Sequence, residues 1–77
     1  MEIRIQRISE RDDGAYHLRL SIDGRHEGIT ITRETVRDRE AFQYWLRDCY
    51  GMGAQIRRFP TTQARWEAFL DRELARA

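Results

Sequence analysis

Residues 15–32 have the sequence AYHLRLSIDGRHEGITIT. In the first half of this stretch, polar or small residues alternate with the apolar residues Tyr16, Leu18, Leu20 and Ile22. Such alternation puts every second side chain on the same face of a β-strand, so the pattern predicts a strand over residues 15–22. Asp23-Gly24 then provides a turn, because glycine accepts the positive φ that a tight turn requires. Residues 27–32 are predicted as the next strand, with Ile29 and Ile31 facing inward.

The N-terminal segment extends this pattern to a third strand, predicted over residues 2–8. Ile3 and Ile5 lie on one face of it, and Asp12-Asp13-Gly14 supplies the turn to the following strand. Ile8 breaks the alternation, so we expect this strand to end or to bulge there. Residues 2–32 are therefore predicted to form a three-stranded antiparallel meander, whose apolar face must be covered by a second layer.

Two amphipathic helices are predicted to form that layer. The first covers residues 38–50, with Asp38 as N-cap, and ends before Gly51-Met52-Gly53, because glycine tolerates the left-handed C-cap conformation. Its apolar stripe consists of Phe42, Trp45, Leu46, Cys49 and Tyr50. The second helix covers residues 62–76, with Thr61 or Thr62 as N-cap. Its stripe consists of Trp66, Phe69, Leu70 and Leu74.

The segment between the helices, residues 54–59, is predicted as a short fourth strand, with an extended loop as the alternative. The predicted element order is β-β-β-α-(β)-α. We therefore expect an α+β fold in which two helices pack on one face of an antiparallel sheet of three to four strands. The chain has 77 residues and contains no Pro- or Ser-rich linker, so it is predicted to be one small domain over residues 1–77.

The composition narrows the functional classes. Fourteen basic residues, all of them arginine, face thirteen acidic ones, for a formal net charge of +1. A mimic of nucleic acid would be strongly acidic, and a dedicated nucleic-acid module is usually more basic. The single cysteine allows no disulfide within this chain and no CxxC metal site, and it favours the reducing cytosol. No apolar run reaches the roughly 18 residues of a membrane span, and the alternating N-terminus does not resemble a secretory signal.

No arrangement of residues in the sequence points to catalysis. His17 and His26 lack the spacing of metal ligands and are interpreted as solvated polar residues. Cys49 lies on the stripe of the first helix and is expected to be a buried small residue rather than a nucleophile. Gly51-Met52-Gly53 follows a helix instead of a strand, which is the wrong context for a phosphate loop. We therefore expect a protein that is not an enzyme, without catalytic residues, metal or cofactor.

Arginine and tyrosine side chains are the candidate partner contacts. Arg4 and Arg19 are predicted on the outward face of the meander, where a suitable register makes them cross-strand neighbours, and Arg57-Arg58 lies between the helices. Their guanidinium groups suit carboxylates or phosphates. Tyr44 lies off the helix stripe, and an exposed Tyr beside Arg is typical of interface hot spots. The alternative is a solvated face on which arginine only maintains solubility. The outward strand positions carry no aromatic residue, which disfavours a reader of single-stranded RNA.

Residues 40–46 (EAFQYWL), followed by residues 50–53 (YGMG), resemble the helix–aromatic–glycine segment of a small anti-CRISPR protein that inhibits type I systems. In organisation the resemblance covers residues 15–60. It implies inhibition by binding to a subunit of the CRISPR surveillance complex, which blocks target DNA binding or nuclease recruitment. The layout also resembles short sheet-and-helix segments of mobile-element replication proteins, with residues 66–74 as the closing helix. Both resemblances imply a phage or mobile-element origin.

The sequence thus supports two functional hypotheses. The first is a non-enzymatic protein-binding inhibitor of the anti-CRISPR type, whose partner contacts are Arg4, Arg19, Tyr44, Arg57 and Arg58. The alternative is a small nucleic-acid-binding accessory protein of a phage or mobile element, in which the same arginines contact phosphate. We expect a cytoplasmic location and either a monomer or a homodimer, since an edge strand and many aromatic residues allow pairing across a two-fold axis.

Overall fold

A four-stranded mixed sheet, covered on one face by three helices, forms the architecture of the computed structural model, which describes residues 1–76. The elements along the chain are β1 (Glu2–Glu10), β2 (Tyr16–Ile22), β3 (Arg25–Ile31), α1 (Arg33–Arg37), α2 (Arg39–Tyr50), β4 (Gln55–Ile56) and α3 (Gln63–Leu74). The strand order in the sheet is β3-β2-β1-β4. The α+β class and the antiparallel meander of β1, β2 and β3 are confirmed.

The fourth strand corrects the prediction of an antiparallel sheet. β4 runs parallel to β1, with Gln55 opposite Glu2 and Ile56 opposite Ile3. The chain reaches β4 through a long crossover that contains β2, β3 and the first two helices, and such a connection can return a strand in the same direction. The chain leaves the sheet after Ile56, so the strand expected over residues 54–59 is reduced to two residues.

A bulge in β1 decides which of its side chains reach the core. The register with β2 shifts between Ile5 and Arg7, so that Ile5 lies opposite Leu20 and Arg7 lies opposite Arg19. The extra residue reverses the alternation that follows it, which is why Ile8 is buried although it breaks the sequence pattern. The predicted bulge is confirmed, and it lies slightly earlier in the strand than Ile8. The alternative, a strand end at Ile8, is wrong because β1 continues to Glu10.

The structure contains one helix more than the two predicted. α1 has five residues and a single buried apolar side chain, Val36, which is too little for a helical periodicity to be visible in the sequence. Asp38 separates α1 from α2 with an extended backbone. Its carboxylate accepts a 3.1 Å hydrogen bond from the backbone N–H of Ala41. The predicted N-cap of α2 is therefore confirmed, while the prediction of two helices is wrong.

Aromatic and aliphatic side chains from the helices fill the core beneath the sheet. Phe42 of α2 and Trp66 of α3 are completely buried and stack with their ring centroids 5.2 Å apart. The hydroxyl of Thr62 accepts a 3.2 Å hydrogen bond from the backbone N–H of Arg65, which identifies Thr62 as the N-cap of α3. α3 ends at Leu74, slightly earlier than predicted.

Cys49 is exposed, so its predicted place in the core is wrong. The buried side of α2 is centred on Phe42 and Leu46, whereas Trp45 and Tyr50 are only partly buried. The apolar stripe of this helix is therefore wider than the strip that packs on the sheet and on α3. A side chain at the edge of such a stripe remains in contact with solvent.

Candidate binding site in an arginine-lined groove

A groove of about 300 Å³ lies between β1, the segment after β4 and the C-terminal part of α3. Its apolar lining comes from Ile5, Pro60 and Phe69. Its charged lining consists of Arg4, Arg57, Arg58, Arg76 and the carboxylate of Glu73. Three separate parts of the chain therefore bring four guanidinium groups around one apolar hollow.

The end of β4 positions Arg57 and Arg58. The backbone N–H of Arg57 donates a 2.8 Å hydrogen bond to the carbonyl oxygen of Ile3, and its guanidinium forms an exposed 3.4 Å ion pair with Glu2. Arg58 has a φ of +55°, in the left-handed region that residues other than glycine rarely adopt. This turn takes the chain away from the sheet and leaves the Arg58 side chain exposed at the groove.

The C-terminal end of α3 closes the far side of the groove. Arg76 forms a 3.1 Å ion pair with Glu73, whose side chain is only 12% exposed. Arg7 of β1 donates a 3.2 Å hydrogen bond to the carbonyl oxygen of Arg76. The hydrogen bond from Arg7 connects the end of α3 to β1. Because Glu73 and Glu2 pair with only two of the four guanidinium groups, the groove keeps a net positive charge.

The sheet face that the helices do not cover extends this positive surface. Arg7 and Arg19 lie opposite each other on β1 and β2, and both are exposed. Arg4 lies opposite Ser21. The cross-strand pair of Arg4 and Arg19, expected for a suitable register, therefore does not form, because the register that starts with Ile3 opposite Ile22 sets the position of Arg4 before the bulge. The bulge determines only that Arg7, rather than Gln6, lies opposite Arg19.

Both histidines lie on the same open face. The Nδ1 atom of His26 is 2.9 Å from Oε1 of Gln6. The ring of His17 lies so close to Gly28 that a Cβ atom there would come within 3.2 Å of it. Among residues 1–76, no group of three or more His, Cys, Asp and Glu side chains is placed to hold a metal ion. The contacts of the two rings are thus with neighbouring residues of the sheet.

The groove and the open sheet face together form a surface that we name the basic face. Its arginines are Arg4, Arg7, Arg19, Arg57, Arg58 and Arg76. In the described part of the chain, the outward strand positions and the groove lining carry two carboxylates, those of Glu2 and Glu73. The chain as a whole has 14 basic and 13 acidic residues. Its charges are therefore unevenly distributed over the surface, which the composition does not show.

Tyr44 lies outside the basic face. It is 65% exposed on α2, on the helical side of the sheet, where it borders a separate shallow hollow with Trp45 and Met52. Of the five predicted partner contacts, the structure brings Arg4, Arg57 and Arg58 together around the groove. It places Arg19 on the adjoining sheet face and Tyr44 on a different surface.

Arg7 and Arg76 are site residues that the sequence analysis did not identify. In an uninterrupted strand, Arg7 would share the inward face with Ile3 and Ile5, and only the bulge turns it outward. Arg76 follows the last residue of α3 and reaches the groove through tertiary packing. The break in alternation at Ile8 was the sequence signal that could have identified Arg7, whereas nothing in the local pattern marks Arg76.

Comparison with known proteins adds no relative to this picture. No protein-family model matches the sequence, and no curated protein or solved structure is significantly similar to it. Across the described residues, every helix is too short or too polar to pass through a lipid bilayer. The functional inference therefore depends on the chemistry of the basic face.

Proposed function

We propose that the protein is a non-enzymatic binding module whose basic face docks on an acidic surface of a partner protein. The observation that supports this is the groove, in which four arginine side chains from three parts of the chain surround an apolar hollow. Guanidinium and carboxylate groups form strong bidentate hydrogen bonds, and arginine is enriched among the residues that dominate interface energies. A hollow of this kind suits an acidic surface that also presents an aliphatic side chain.

Inhibition of a CRISPR surveillance complex is the specific form of this proposal. It is supported by the resemblance of residues 40–46 and 50–53 to an anti-CRISPR segment, and it includes a phage or mobile-element origin and a cytoplasmic location. A protein of this size can supply the roughly 800 Å² per partner of a standard interface. By covering an acidic surface of one subunit, it would block nuclease recruitment, or block target DNA through steric overlap.

The double substitution Arg57→Ala/Arg58→Ala tests the proposal. We expect partner binding to weaken about tenfold or more, which corresponds to about 1.4 kcal/mol. The Tm should stay close to that of the unchanged protein, because both side chains are exposed and a surface ion pair such as Arg57–Glu2 contributes at most about 1 kcal/mol. The partner is first isolated by affinity purification and identified by mass spectrometry, and its affinity is then measured by calorimetry.

The matched control is the double substitution Arg11→Ala/Arg33→Ala. Arg11 also forms an exposed 3.4 Å ion pair, with Asp13, and Arg33 is an exposed residue of α1. Neither residue belongs to the basic face, so this variant should retain the partner. If both double variants retain the partner equally well, the groove is not the binding site.

Nucleic-acid binding is the second candidate function, and it is favoured by the concentration of six arginines on the basic face. The same guanidinium groups would contact backbone phosphates, and the release of condensed counterions would make the affinity fall steeply with salt. The test is a gel shift at low salt with single-stranded DNA, double-stranded DNA and RNA. Retention that is lost in Arg57→Ala/Arg58→Ala supports this candidate, whereas no retention of any of the three contradicts it.

A further inference from the structure

The edge of β1 that borders the groove is open. β1 has nine residues, yet β4 pairs only with Glu2 and Ile3. The backbone N–H of Arg57 still bonds to the carbonyl oxygen of Ile3, and the left-handed turn at Arg58 then takes the chain away. From Arg4 onward, no strand within residues 1–76 lies on this side of β1.

The backbone of Ile5 faces this open edge. In a strand, the N–H and C=O groups of alternate residues point toward the same edge. Since the carbonyl oxygen of Ile3 points toward Arg57, the N–H and C=O of Ile5 point toward the groove, which Ile5 also lines. Strand edges of this kind are templates for a further strand.

The chemistry of the groove suits an extended peptide with a particular pattern. Successive side chains of an added strand would point alternately to the two faces of the sheet. A side chain pointing inward would meet the apolar lining of Ile5, Pro60 and Phe69. Its neighbours would point outward, toward the side of the sheet that carries Arg4. The matching segment therefore has an aliphatic residue between two acidic ones.

We propose that the groove takes up an extended acidic segment of the partner protein, which adds to the sheet as a strand beside β1. This inference rests on the proposed function and specifies the type of contact. β1 offers residues 4–6 for the pairing, a length of roughly 10 Å at 3.3 Å per residue. The backbone contact is therefore short, and the arginines supply charge complementarity to the acidic side chains.

Selection from a library of short random peptides tests the proposal, with the full chain as bait and the Arg57→Ala/Arg58→Ala variant for counter-selection. We expect the selected peptides to share an acidic–aliphatic–acidic pattern. Binding of a synthetic selected peptide should slow amide hydrogen exchange at Ile5 about tenfold or more. N-methylation of the peptide nitrogen that pairs with Ile5 should weaken binding about tenfold, while N-methylation of the next nitrogen should have little effect.

The outcomes separate this inference from the function on which it rests. If a protein partner requires Arg57 and Arg58 but leaves hydrogen exchange at Ile5 unchanged, the basic face binds protein without strand addition, and this inference alone fails. Equal effects of N-methylation at the two peptide positions overturn it as well. If no peptide is selected and a single-stranded oligonucleotide perturbs the groove amides instead, both the inference and the protein-binding proposal fail.

Discussion

The indole nitrogen of Trp66 donates a buried 2.7 Å hydrogen bond to the carbonyl oxygen of Val36. Both residues are completely buried. The carbonyl groups in the last turn of a helix have no partner within that helix, and this bond satisfies one of them in α1. A helix of five residues is not stable alone, so α3 stabilises α1 through a single side chain as well as through packing.

Replacement of Trp66 by phenylalanine should therefore destabilise the fold strongly. Trp66→Phe leaves the Val36 carbonyl buried without its donor and removes part of a packed ring, for a combined loss of roughly 2 to 4 kcal/mol in the free energy of unfolding. Urea denaturation followed by far-UV circular dichroism measures this loss. Trp45→Phe is the matched control, because Trp45 is only partly buried, and it should cost less than about 1 kcal/mol. Equal losses in the two variants would show that the hydrogen bond has no special role.

The main elements of this fold were predictable because each depends on residues close together in sequence. The alternation from Tyr16 to Ile22 defines β2, and the side chains of Asp38 and Thr62 mark the helix starts that the structure contains. β4 and α1 depend on tertiary structure instead. A strand of two residues is too short to show an alternation of apolar and polar residues. Its direction parallel to β1 depends on where the long connection from β1 to β4 ends.

The candidate site was predictable only in part, for a related reason. Arg57 and Arg58 are adjacent in sequence, so any structure places them together, and Arg4 joins them because β4 pairs with the start of β1. Arg7 was missed because a bulge reverses the direction of the side chains that follow it. The position of Tyr44 off the helix stripe predicts its exposure correctly, but exposure does not specify on which side of the sheet a residue lies.

The exposure of Cys49 predicts a reactive thiol in the folded protein. Ellman's reagent should modify one thiol per chain without denaturant, at a rate close to that measured in urea, because the side chain lies in solvent. Cys49→Ser should change the free energy of unfolding by less than about 0.5 kcal/mol. A thiol that reacts only after unfolding would instead place Cys49 in the core.

The turn between β1 and β2 predicts a pH dependence of stability. The pKa of Asp13 lies below its ordinary value because the backbone N–H of Ala15 donates a 3.0 Å hydrogen bond to its carboxylate, and Arg11 adds a second bond at 3.4 Å. A depressed pKa in the folded state stabilises the protein above the unfolded-state pKa of about 3.9, and this contribution is lost as the pH falls through the folded-state pKa.

Asp13→Asn should therefore lower the urea midpoint at neutral pH, and its difference from the unchanged protein should shrink as the pH falls below about 4. The measurement is a series of urea titrations across this range. Asp12→Asn changes the neighbouring exposed carboxylate of the same turn and serves as the control, for which we expect a smaller difference. A difference for Asp13→Asn that is constant with pH would show that its carboxylate hydrogen bonds do not contribute to stability.

The left-handed backbone of Arg58 allows its contribution to stability to be separated from its contribution to binding. A non-glycine residue in this region lowers the free energy of unfolding by about 1–2 kcal/mol, and glycine removes that cost. Glycine also makes the unfolded chain more flexible, which lowers the free energy of unfolding by about 0.5–1 kcal/mol. Arg58→Gly should therefore leave the free energy of unfolding unchanged or raise it by up to about 1.5 kcal/mol. Because it removes one guanidinium from the groove, it should also weaken partner binding.

Arg57→Gly is the matched comparison, because it removes the neighbouring guanidinium of the same groove at a residue without positive φ. This variant loses the ion pair with Glu2 and gains only the flexibility of glycine, so it should be destabilised by about 1 kcal/mol. Urea denaturation of both variants, together with partner affinity, measures the contrast. A stable Arg58→Gly protein that binds weakly shows that the Arg58 side chain contributes to recognition at a position where arginine does not stabilise the fold. If the two variants are equally destabilised, the left-handed conformation of Arg58 stores no strain.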